Sequence, residues 1–335
     1  MEKIKVAING FGRIGRNAFK IALEKPGLEI VGINDITDTK TLAYLLKYDS
    51  TQGKFNGTVS YDETNLIVNG KKVKVSAEKS PSQIPWAVQP DVIIESTGKF
   101  TSRTSEKGGY GDHLKNGAKK VLLSVPSKDE IDRMIVVGVN DDHLKPTDLC
   151  ISNASCTTNC LAPIVKIIND NFGIEQGFMT TIHSYTNDQM ILDAPHKDLR
   201  RARSAALSQI PTTTGAAKAV GKVIPELKGK LDGVSIRVPT PTGSIVDFVA
   251  ILKKEVTKEQ INAAVKQSAE TTMKGIVEYC EDPIVSADVI HNPHSSIFDP
   301  LSTMVMGKMI KVFSWYDNEW GYSNRLIDLI PMLFK

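Results

Sequence analysis

A cysteine among hydroxyl-bearing residues is the first feature of this sequence with evident chemical potential. Cys156 lies in the run Ser152-Asn-Ala-Ser-Cys-Thr-Thr-Asn-Cys160, directly before an apolar segment with helical periodicity. This placement predicts that Cys156 occupies the first turn of a helix, where unpaired N–H groups and the helix dipole favour a thiolate. The same N–H groups could hold an oxyanion formed when the thiolate attacks a carbonyl. On spacing alone, a nucleophile and a plain core cysteine are equally consistent with Cys156.

A histidine supplies a possible partner for the cysteine. Of the six histidines, only His183 ends a predicted strand, where it could pair with a thiolate and move a proton. A hydrogen-bonded structural histidine is the equally consistent alternative. The spacing of Cys160 is not that of a C-x-x-C redox pair, so we interpret Cys160 as packing and Cys150 and Cys280 as buried and inert. No cluster has metal-ligand spacing, so no metal is expected.

A glycine-rich turn near the N-terminus indicates a dinucleotide site. Gly10-Phe-Gly12-Arg-Ile-Gly15 follows a predicted strand and opens a predicted helix, and Asp35 lies 20 residues beyond Gly15. Gly10 would make the turn, Gly12 would admit a pyrophosphate, and Gly15 would let the helix pack on the strand. The Asp35 carboxylate would accept ribose hydroxyls and repel a 2′-phosphate, which favours NAD over NADP. The alternative is a structural glycine turn that binds nothing.

Several hydroxyls and arginines suggest anion binding. The hydroxyl run Thr212–Gly215 precedes a helix pattern that it could cap, and such a cap can bind phosphate. Arg237, which ends a predicted strand, and arginines within 200–203 could each fork onto a phosphate. A plain cap and a solvated charge cluster are the alternatives. Beside a cysteine and a dinucleotide motif, these anion sites suggest a phosphorylated substrate.

The elements that must position these residues change in rhythm near residue 150. Before it, strand, helix and strand alternate in the βαβ order that implies a parallel sheet, with a hairpin turn at Asn69-Gly70 and a further apolar strand run at Met134-Ile-Val-Val-Gly138. After it, longer strands alternate apolar and polar residues, which indicates an antiparallel or mixed sheet. We place these later strands at Gly177–His183, Val234–Val238, Ser244–Leu252 and Val305–Trp315, with a long functional or interfacial loop at Ser184–Gln209.

The predicted fold is therefore α/β with two domains. Residues 1–155 form a Rossmann domain with a doubly wound parallel sheet. Residues 156–318 form an α+β catalytic domain with a mostly antiparallel or mixed sheet. A C-terminal helix, residues 319–335, packs back on the first domain.

Composition agrees with a globular protein of this size. The chain has 335 residues, 41 basic and 38 acidic side chains and a net charge of +3, and its mean hydropathy is −0.15. A pI of about 8.5 predicts no specific nucleic-acid partner, and no apolar run reaches the length of a membrane span. With four unevenly spaced cysteines and no basic leader, we expect a reducing, cytoplasmic setting.

Five motifs together resemble phosphorylating glyceraldehyde-3-phosphate dehydrogenase of the bacterial type, over essentially the whole chain. They are Asn9-Gly-Phe-Gly-Arg-Ile-Gly-Arg16, the Ser152–Cys160 run, His183-Ser-Tyr-Thr-Asn-Asp-Gln189, Pro211-Thr-Thr-Thr-Gly-Ala-Ala-Lys218 and Ser314-Trp-Tyr-Asp-Asn-Glu319. The resemblance implies a glycolytic, NAD-dependent, phosphorylating oxidation of glyceraldehyde 3-phosphate to 1,3-bisphosphoglycerate. Inorganic phosphate is the second substrate, and the assembly is a homotetramer in which the loop after His183 lies against a neighbouring subunit's cofactor.

The resemblance also implies individual roles. Cys156 would form a thioester and His183 would be the base. The family's phosphate contacts fall on Ser155, Cys156, Thr157, Thr186, Arg201, Thr214, Gly215 and Arg237, with the choice between Arg201 and Arg203 open. Its cofactor contacts fall on Gly10, Gly12, Arg13, Ile14, Gly15, Asp35, Lys79, Ser124 and Asn318, the last of which would orient the nicotinamide amide.

Three positions depart from the family pattern, and three other functions compete with this one. Lys79 stands where arginine is common, Ala194 precedes Pro195 where NAD-specific relatives usually have leucine, and Lys107-Gly-Gly-Tyr-Gly111 replaces part of a continuous helix. The nearest alternative is the same chemistry on erythrose 4-phosphate. Aspartate-semialdehyde dehydrogenase fits poorly, because the Ser152–Cys160 run does not belong to it. A non-catalytic NAD-binding scaffold is the alternative from another class.

Overall fold

A computed structural model describes residues 2–335, and the chain divides into two compact units. The first unit contains residues 2–135, 141–154 and 323–335, and the second contains residues 136–140 and 155–322. Over the described residues, none of the helices combines the length and the apolar character that crossing a membrane requires.

The first unit is built on a nine-stranded sheet with the order β3-β4-β5-β2-β1-β6-β7-β9-β8. The strand pairs from β5 to β8 run parallel, and β3, β4 and β5 add an antiparallel edge. This confirms the predicted Rossmann architecture. The strands are β1 (Ile4–Asn9), β2 (Leu28–Asn34), β3 (Val59–Tyr61), β4 (Asn65–Val68), β5 (Lys71–Ser76), β6 (Val92–Glu95), β7 (Lys120–Leu123), β8 (Arg133–Met134) and β9 (Cys150–Ser152).

Apolar patterning explains how the first βαβ unit forms. The apolar run in β1 is completely buried, since Val6, Ala7 and Ile8 expose none of their surface. Phe19, on the following helix, is equally buried. The helices of this unit are α1 (Arg13–Leu23), α2 (Thr39–Lys47), α3 (Asp112–Lys115) and, from residue 323 onward, α7 (Trp320–Met332).

The glycine-rich segment Lys107–Gly111 forms no helix. Gly109 and Gly111 lie against the backbone of Arg103, where a Cβ at Gly109 would come within 2.3 Å of the Arg103 carbonyl oxygen. The Gly111 N–H donates to that same oxygen at 3.0 Å. Only the short α3 follows, so the glycines permit a close backbone approach in place of the continuous helix that the resemblance implies.

The second unit contains a seven-stranded mixed sheet with the order β11-β12-β10-β13-β16-β15-β14. Two of its strand pairs, β10–β12 and β14–β15, are parallel and the others are antiparallel, as the alternating pattern predicted. The strands are β10 (Ile174–Ser184), β11 (Ile210–Thr213), β12 (Leu231–Val238), β13 (Ser244–Leu252), β14 (Val277–Tyr279), β15 (Ser296–Met306) and β16 (Met309–Tyr316). The helices are α4 (Cys156–Phe172), α5 (Ala216–Val223) and α6 (Lys258–Glu270).

The two faces of this sheet differ in their surroundings. Helices α4, α5 and α6 pack on one face. Along β10 and β12, residues of the opposite face are exposed, and they include Phe178 at 72% and Val234 at 50% exposure. Met304 and Met306 of β15 are also largely exposed. The second unit therefore presents a broad apolar sheet face.

Three predictions of local structure are wrong. The single strand placed at Val305–Trp315 is the hairpin β15–β16, which turns at Gly307 with φ +59°. The apolar run at residues 134–138 is strand only at Arg133–Met134, and the chain then turns at Gly138 with φ +83°. Cys280 is only half-buried, because it lies just beyond the short β14. The long Ser184–Gln209 loop, in contrast, is confirmed between β10 and β11.

Candidate active site and dinucleotide cleft

Cys156 is the first residue of α4, as predicted. Ser155 is the N-cap, and its hydroxyl accepts a hydrogen bond from the Thr158 N–H at 3.1 Å. Cys156 is partly exposed, whereas Cys160, one turn later, is completely buried with its Sγ 3.7 Å from Ser296 Oγ. The two cysteines therefore have different environments, and only Cys156 can meet a solute.

His183 lies near the carboxyl end of β10 and is 4% exposed. Its Nε2 is 3.5 Å from the Sγ of Cys156, so the two predicted reactive residues are in direct contact. The other ring nitrogen, Nδ1, lies 2.7 Å from the Ser184 carbonyl oxygen. A proton on Nδ1 would be donated to that carbonyl, which leaves the Nε2 lone pair facing the sulfur.

Strand register brings Arg237 to the same place. Strands β10 and β12 are parallel, and His183 lies opposite Arg237 in the register. The Arg237 Nη1 is 2.9 Å from His183 Nδ1 and donates to the Ser184 carbonyl at 3.0 Å. A permanent positive charge therefore lies beside the cysteine–histidine pair.

Burial and this charge set the protonation of the pair. Burial raises the pKa of the Cys156 thiol, while the charge of Arg237 and hydrogen bonding to Thr157 oppose that rise. Burial, assisted by Arg237, lowers the pKa of His183 to about 3. The free-standing thiolate expected from the helix position is thus disfavoured by desolvation. Either group gains charge most easily when the proton passes directly between them, because opposite charges at this contact offset one another.

Tyr316 packs beside His183 in this site, and the sequence analysis assigned it no role. Its hydroxyl is 2.9 Å from both Thr157 Oγ1 and Thr181 Oγ1, and so links α4 to β10. Its ring meets the His183 ring edge-on at a centroid distance of 5.9 Å. Tyr316 lies within the Ser314–Glu319 motif, but only the packing of β16 shows that it supports Cys156 and His183.

The two arginines that sequence reasoning left open occupy different environments. The Arg201 side chain is 21% exposed, donates to Thr212 Oγ1 from Nε at 2.9 Å and from Nη2 at 2.7 Å, and pairs with Asp188. Arg201 is also close enough to Arg237 for its charge to lower that residue's pKa. Arg203 is 66% exposed and pairs with Asp193 at 2.8 Å.

The remaining predicted anion contacts lie around α4 and α5. Gly215, not a hydroxyl residue, is the N-cap of α5, and Thr214 Oγ1 accepts from the Ala216 N–H at 3.2 Å. Of the hydroxyl run that was predicted to cap this helix, only Thr214 contributes, because Thr212 and Thr213 belong to β11. Thr186 is half-buried just after β10.

Asn318 is held rigidly in the second unit. Its Oδ1 accepts from the Gly243 N–H at 3.1 Å and from Ser244 Oγ at 3.0 Å. The Ser184 hydroxyl lies 3.2 Å from the same oxygen and has a nearer acceptor, the Gly243 carbonyl, at 2.9 Å. The two donors on the oxygen fix the amide orientation, which leaves the Nδ2 group to act as a donor to another molecule.

The first unit carries a cleft of about 350 Å³ at the carboxyl ends of its parallel strands. Among the residues that line it are Gly10, Gly12, Asp35 and Lys79. Gly10 has φ +92°, and a Cβ there would lie 2.6 Å from the Thr97 nitrogen. The predicted turn therefore requires glycine at this position.

The glycines also fit the roles expected of them in packing. A Cβ on Gly15 would approach the Gly10 carbonyl oxygen to 2.1 Å, whereas a Cβ on Gly12 would meet nothing within 4 Å. Gly12 is the N-cap of α1, so the helix that contains Arg13 and Ile14 points its first N–H groups at the open side of the turn.

Asp35 follows β2, and its carboxylate accepts two hydrogen bonds from backbone N–H groups. Its Oδ2 accepts from the Phe11 N–H at 2.7 Å and its Oδ1 accepts from the Thr37 N–H at 3.0 Å. Each oxygen keeps a lone pair for a further donor such as a ribose hydroxyl. Ser124, after β7, is buried and does not line this cleft. In the described part of the chain, no three His, Cys, Asp or Glu side chains are arranged to hold a metal ion.

Comparison with known proteins agrees with this geometry. Residues 4–103 match the NAD binding domain of glyceraldehyde 3-phosphate dehydrogenase, and residues 155–318 match its C-terminal domain. The chain is 60% identical over 337 residues to glyceraldehyde-3-phosphate dehydrogenase of Borreliella burgdorferi, covering 99% of this chain and 100% of that protein. It is 57% identical over 335 residues to glyceraldehyde-3-phosphate dehydrogenase 1 of Bacillus subtilis, covering 99% and 98% of the two chains. It is 58% identical over 329 residues to the Geobacillus stearothermophilus enzyme of the same name, with 97% of each chain covered. The chain therefore belongs to the glyceraldehyde-3-phosphate dehydrogenase family and is an NAD-dependent oxidoreductase of glycolysis.

Proposed function

We propose that this chain oxidises glyceraldehyde 3-phosphate and joins the product to inorganic phosphate, giving 1,3-bisphosphoglycerate. The observation that carries the proposal is the 3.5 Å contact between Cys156 Sγ and His183 Nε2 at the first turn of α4. A thiol beside a base and at free N–H groups is suited to attack a carbonyl.

The first step forms a carbon–sulfur bond. The Cys156 sulfur attacks the aldehyde carbon, and the thiol proton, taken by His183 Nε2, passes to the carbonyl oxygen to give a hemithioacetal. The N–H groups at the start of α4 stabilise the negative charge that develops on that oxygen.

Oxidation and phosphate transfer follow. His183 takes the hydroxyl proton as a hydride leaves the same carbon, and the carbon–oxygen double bond forms as a thioester on Cys156. NAD, when bound, supplies the hydride acceptor. An oxygen of inorganic phosphate then attacks the thioester carbon, the carbon–sulfur bond breaks, and the imidazolium of His183 returns its proton to the departing sulfur.

Arg237 and Arg201 would provide the charge that holds phosphate groups. Arg237 lies beside His183, and Arg201 is close enough to Arg237 for their charges to interact. Arg203 faces solvent, which supports Arg201 as the ligand. We assign the remaining phosphate contacts to Ser155, Thr157, Thr186, Thr214 and Gly215.

We assign NAD to the cleft of the first unit. A Cβ on Gly12 would meet nothing, so the turn leaves space there for a pyrophosphate to approach the protein backbone. Gly10 and Gly15 have no room for a Cβ, so the turn itself depends on glycine at both positions. Asp35 would hold the ribose and Lys79 would contact the adenosine half. Arg13 and Ile14 are further proposed contacts of this unit. Ser124, which does not line the cleft, and Asn318, which belongs to the second unit, are the other residues to which we assign a cofactor contact.

We also propose the domain limits and the assembly. Residues 1–155, joined by the helix of residues 319–335, would form the NAD domain, and residues 156–318 would form the catalytic domain. We propose a cytoplasmic location and a homotetramer, and the apolar sheet face that includes Phe178 and Val234 supports the association of subunits. The 184–209 loop supports it too, because Leu199 is 81% and Leu207 is 83% exposed.

A spectrophotometric assay tests the proposal. The protein is mixed with glyceraldehyde 3-phosphate and NAD, and NADH is followed by its near-ultraviolet absorbance with and without inorganic phosphate. Sustained NADH formation only with phosphate is expected. Formation that is indifferent to phosphate would instead indicate hydrolysis, and the phosphate assignments would be wrong. The absence of NADH with either NAD or NADP would contradict the catalytic proposal.

A further inference from the structure

A buried carboxylate lies beneath the dinucleotide cleft, and none of the functions above uses it. Glu95 is the last residue of β6 and is 1% exposed. Its Oε2 accepts from Asn9 Nδ2 at 2.6 Å and lies 2.9 Å from His113 Nε2. Its Oε1 accepts from the Thr97 N–H at 3.0 Å and from the Thr97 hydroxyl. A completely buried acid with this many partners requires an explanation.

Hydrogen bonds run from Glu95 across the ends of three strands to the cleft wall. Asn9 ends β1, and its Oδ1 accepts from Asn34 Nδ2, at the end of β2, at 2.8 Å. Asn34 then makes two bonds to the backbone of Glu78, from its Nδ2 to the carbonyl at 2.9 Å and to its Oδ1 from the N–H at 2.9 Å. Asn9, Asn34, Glu78 and Thr97 all line the cleft, whereas Glu95 does not.

We call the hydrogen-bonded series Glu95, Asn9, Asn34 and Glu78 backbone the relay. The backbone of Glu78 fixes the direction in which each of its hydrogen bonds is donated. Because a peptide group cannot exchange its N–H and C=O, Asn34 must present its oxygen to the N–H and its NH₂ to the carbonyl. The NH₂ of Asn34 then requires the oxygen of Asn9, and the NH₂ of Asn9 requires an acceptor at Glu95. Only a carboxylate accepts at both oxygens, and Glu95 meets this need.

We propose that Glu95 is a positioning residue for NAD, which sets the orientation of Asn9, Asn34 and the Glu78 backbone from below the cleft. His113, completely buried and with Nδ1 unbonded, supports Glu95 through Nε2. The proposal rests on the assignment of NAD to this cleft. Neither residue touches the reacting atoms, so their effect would fall on cofactor binding and not on the chemistry of Cys156.

Glu95→Gln tests the relay because it replaces an acceptor with a donor. With Thr97 holding the oxygen of the introduced amide, the new NH₂ at position 95 faces the NH₂ of Asn9. If the amides of Asn9 and Asn34 both rotate, the contact between two donors moves to the Glu78 N–H, which then faces the NH₂ of Asn34. The peptide group of Glu78 cannot rotate to correct it. One donor therefore loses its acceptor at the cleft wall, and we expect NAD affinity to fall about tenfold.

A second substitution should correct the first. In Glu95→Gln/Asn9→Asp, one carboxylate oxygen at position 9 accepts from the new NH₂ at position 95 and the other still accepts from Asn34. Asn9→Asp alone places two carboxylates together and should weaken NAD binding. We expect the double variant to bind NAD more tightly than either single variant, a coupling that simple loss of packing does not produce. Glu226→Gln, the same change on the second unit, is the matched control and should bind as the wild type does.

The measurement is the NAD dissociation constant by calorimetry, together with KM for NAD, KM for glyceraldehyde 3-phosphate and kcat. The expected result is a raised dissociation constant and raised KM for NAD in Glu95→Gln, with kcat and the KM for the aldehyde within twofold of wild type. A Glu95→Gln variant with unchanged NAD affinity, or a double variant no better than the singles, would overturn the relay. If Glu95→Gln does not fold, the double variant decides in the same way, by folding and binding NAD or failing to. Wild-type protein that binds no NAD would instead refute the cofactor assignment itself.

Discussion

Removing His183 should suppress the reactivity of Cys156. In the wild type, the sulfur can pass its proton to Nε2 at a distance of 3.5 Å, so a thiolate forms beside an imidazolium and not alone in a buried site. Two unit charges at this distance attract by about 5 kcal/mol at an effective dielectric constant of about 20. Burial of the ring cancels part of that gain, because it opposes the imidazolium. In His183→Asn we therefore expect alkylation of Cys156 at neutral pH to slow by at least about tenfold.

The assay is the rate of iodoacetamide modification against pH, with the modified residue identified by mass spectrometry. Burial raises the pKa of Cys150 and of Cys160 to about 12, so these thiols should not compete. Cys280 is half-buried, and Cys156→Ser measures its contribution. His294→Asn, which changes a partly exposed histidine paired with Glu278, is the matched control. An alkylation profile in His183→Asn that matches the wild type would refute the proposed proton transfer.

Three further perturbations have expected outcomes. Arg201→Met should raise the KM for inorganic phosphate or the aldehyde by about tenfold or more, whereas Arg203→Met should leave both within twofold, and equal effects would contradict the assignment. Tyr316→Phe should lower the free energy of unfolding by about 1–2 kcal/mol in urea titration, because two buried threonine hydroxyls lose their shared partner. Asp49, whose pKa lies below its ordinary value because it accepts backbone N–H groups and pairs with Arg13, stabilises the fold when ionised. Asp49→Asn should therefore cost about 2 kcal/mol at neutral pH, and the difference from wild type should shrink as pH falls below about 4, where the unfolded carboxyl takes up its proton.

Much of the fold was predictable because its signals are local. The strand–turn–helix around Gly10 and the Asn69-Gly70 hairpin are each specified by a few adjacent residues, and both are confirmed. The β15–β16 hairpin was missed because Gly307 is the only turn residue between two long alternating segments. The apolar run at residues 134–138 failed for another reason, since tertiary contacts of Gly138 with Met273 and Ile276 take it away from the sheet.

The candidate site was predictable only in part. Cys156 and His183 carry reactive groups at an element end, so residue type and position suggest them directly. Their contact, 27 residues apart in the chain, depends on how α4 packs against β10 and could not be read from spacing. The choice between Arg201 and Arg203 was equally out of reach, since only the folded loop turns one towards Thr212 and the other towards solvent.

Residues that position other side chains are the hardest to predict from the sequence. Tyr316 and Glu95 have no chemistry that marks them, yet each joins several elements at a point where a reactive or binding group must be held. The Tyr316 hydroxyl contacts two threonine hydroxyls on different elements, and in each contact either oxygen can be the donor. Tyr316 can therefore stabilise the fold without fixing the direction of these hydrogen bonds. Glu95 differs because the peptide group of Glu78 gives its relay a direction, which only an acceptor at position 95 satisfies. Substitution at Tyr316 should therefore affect stability first, and substitution at Glu95 should affect cofactor affinity first.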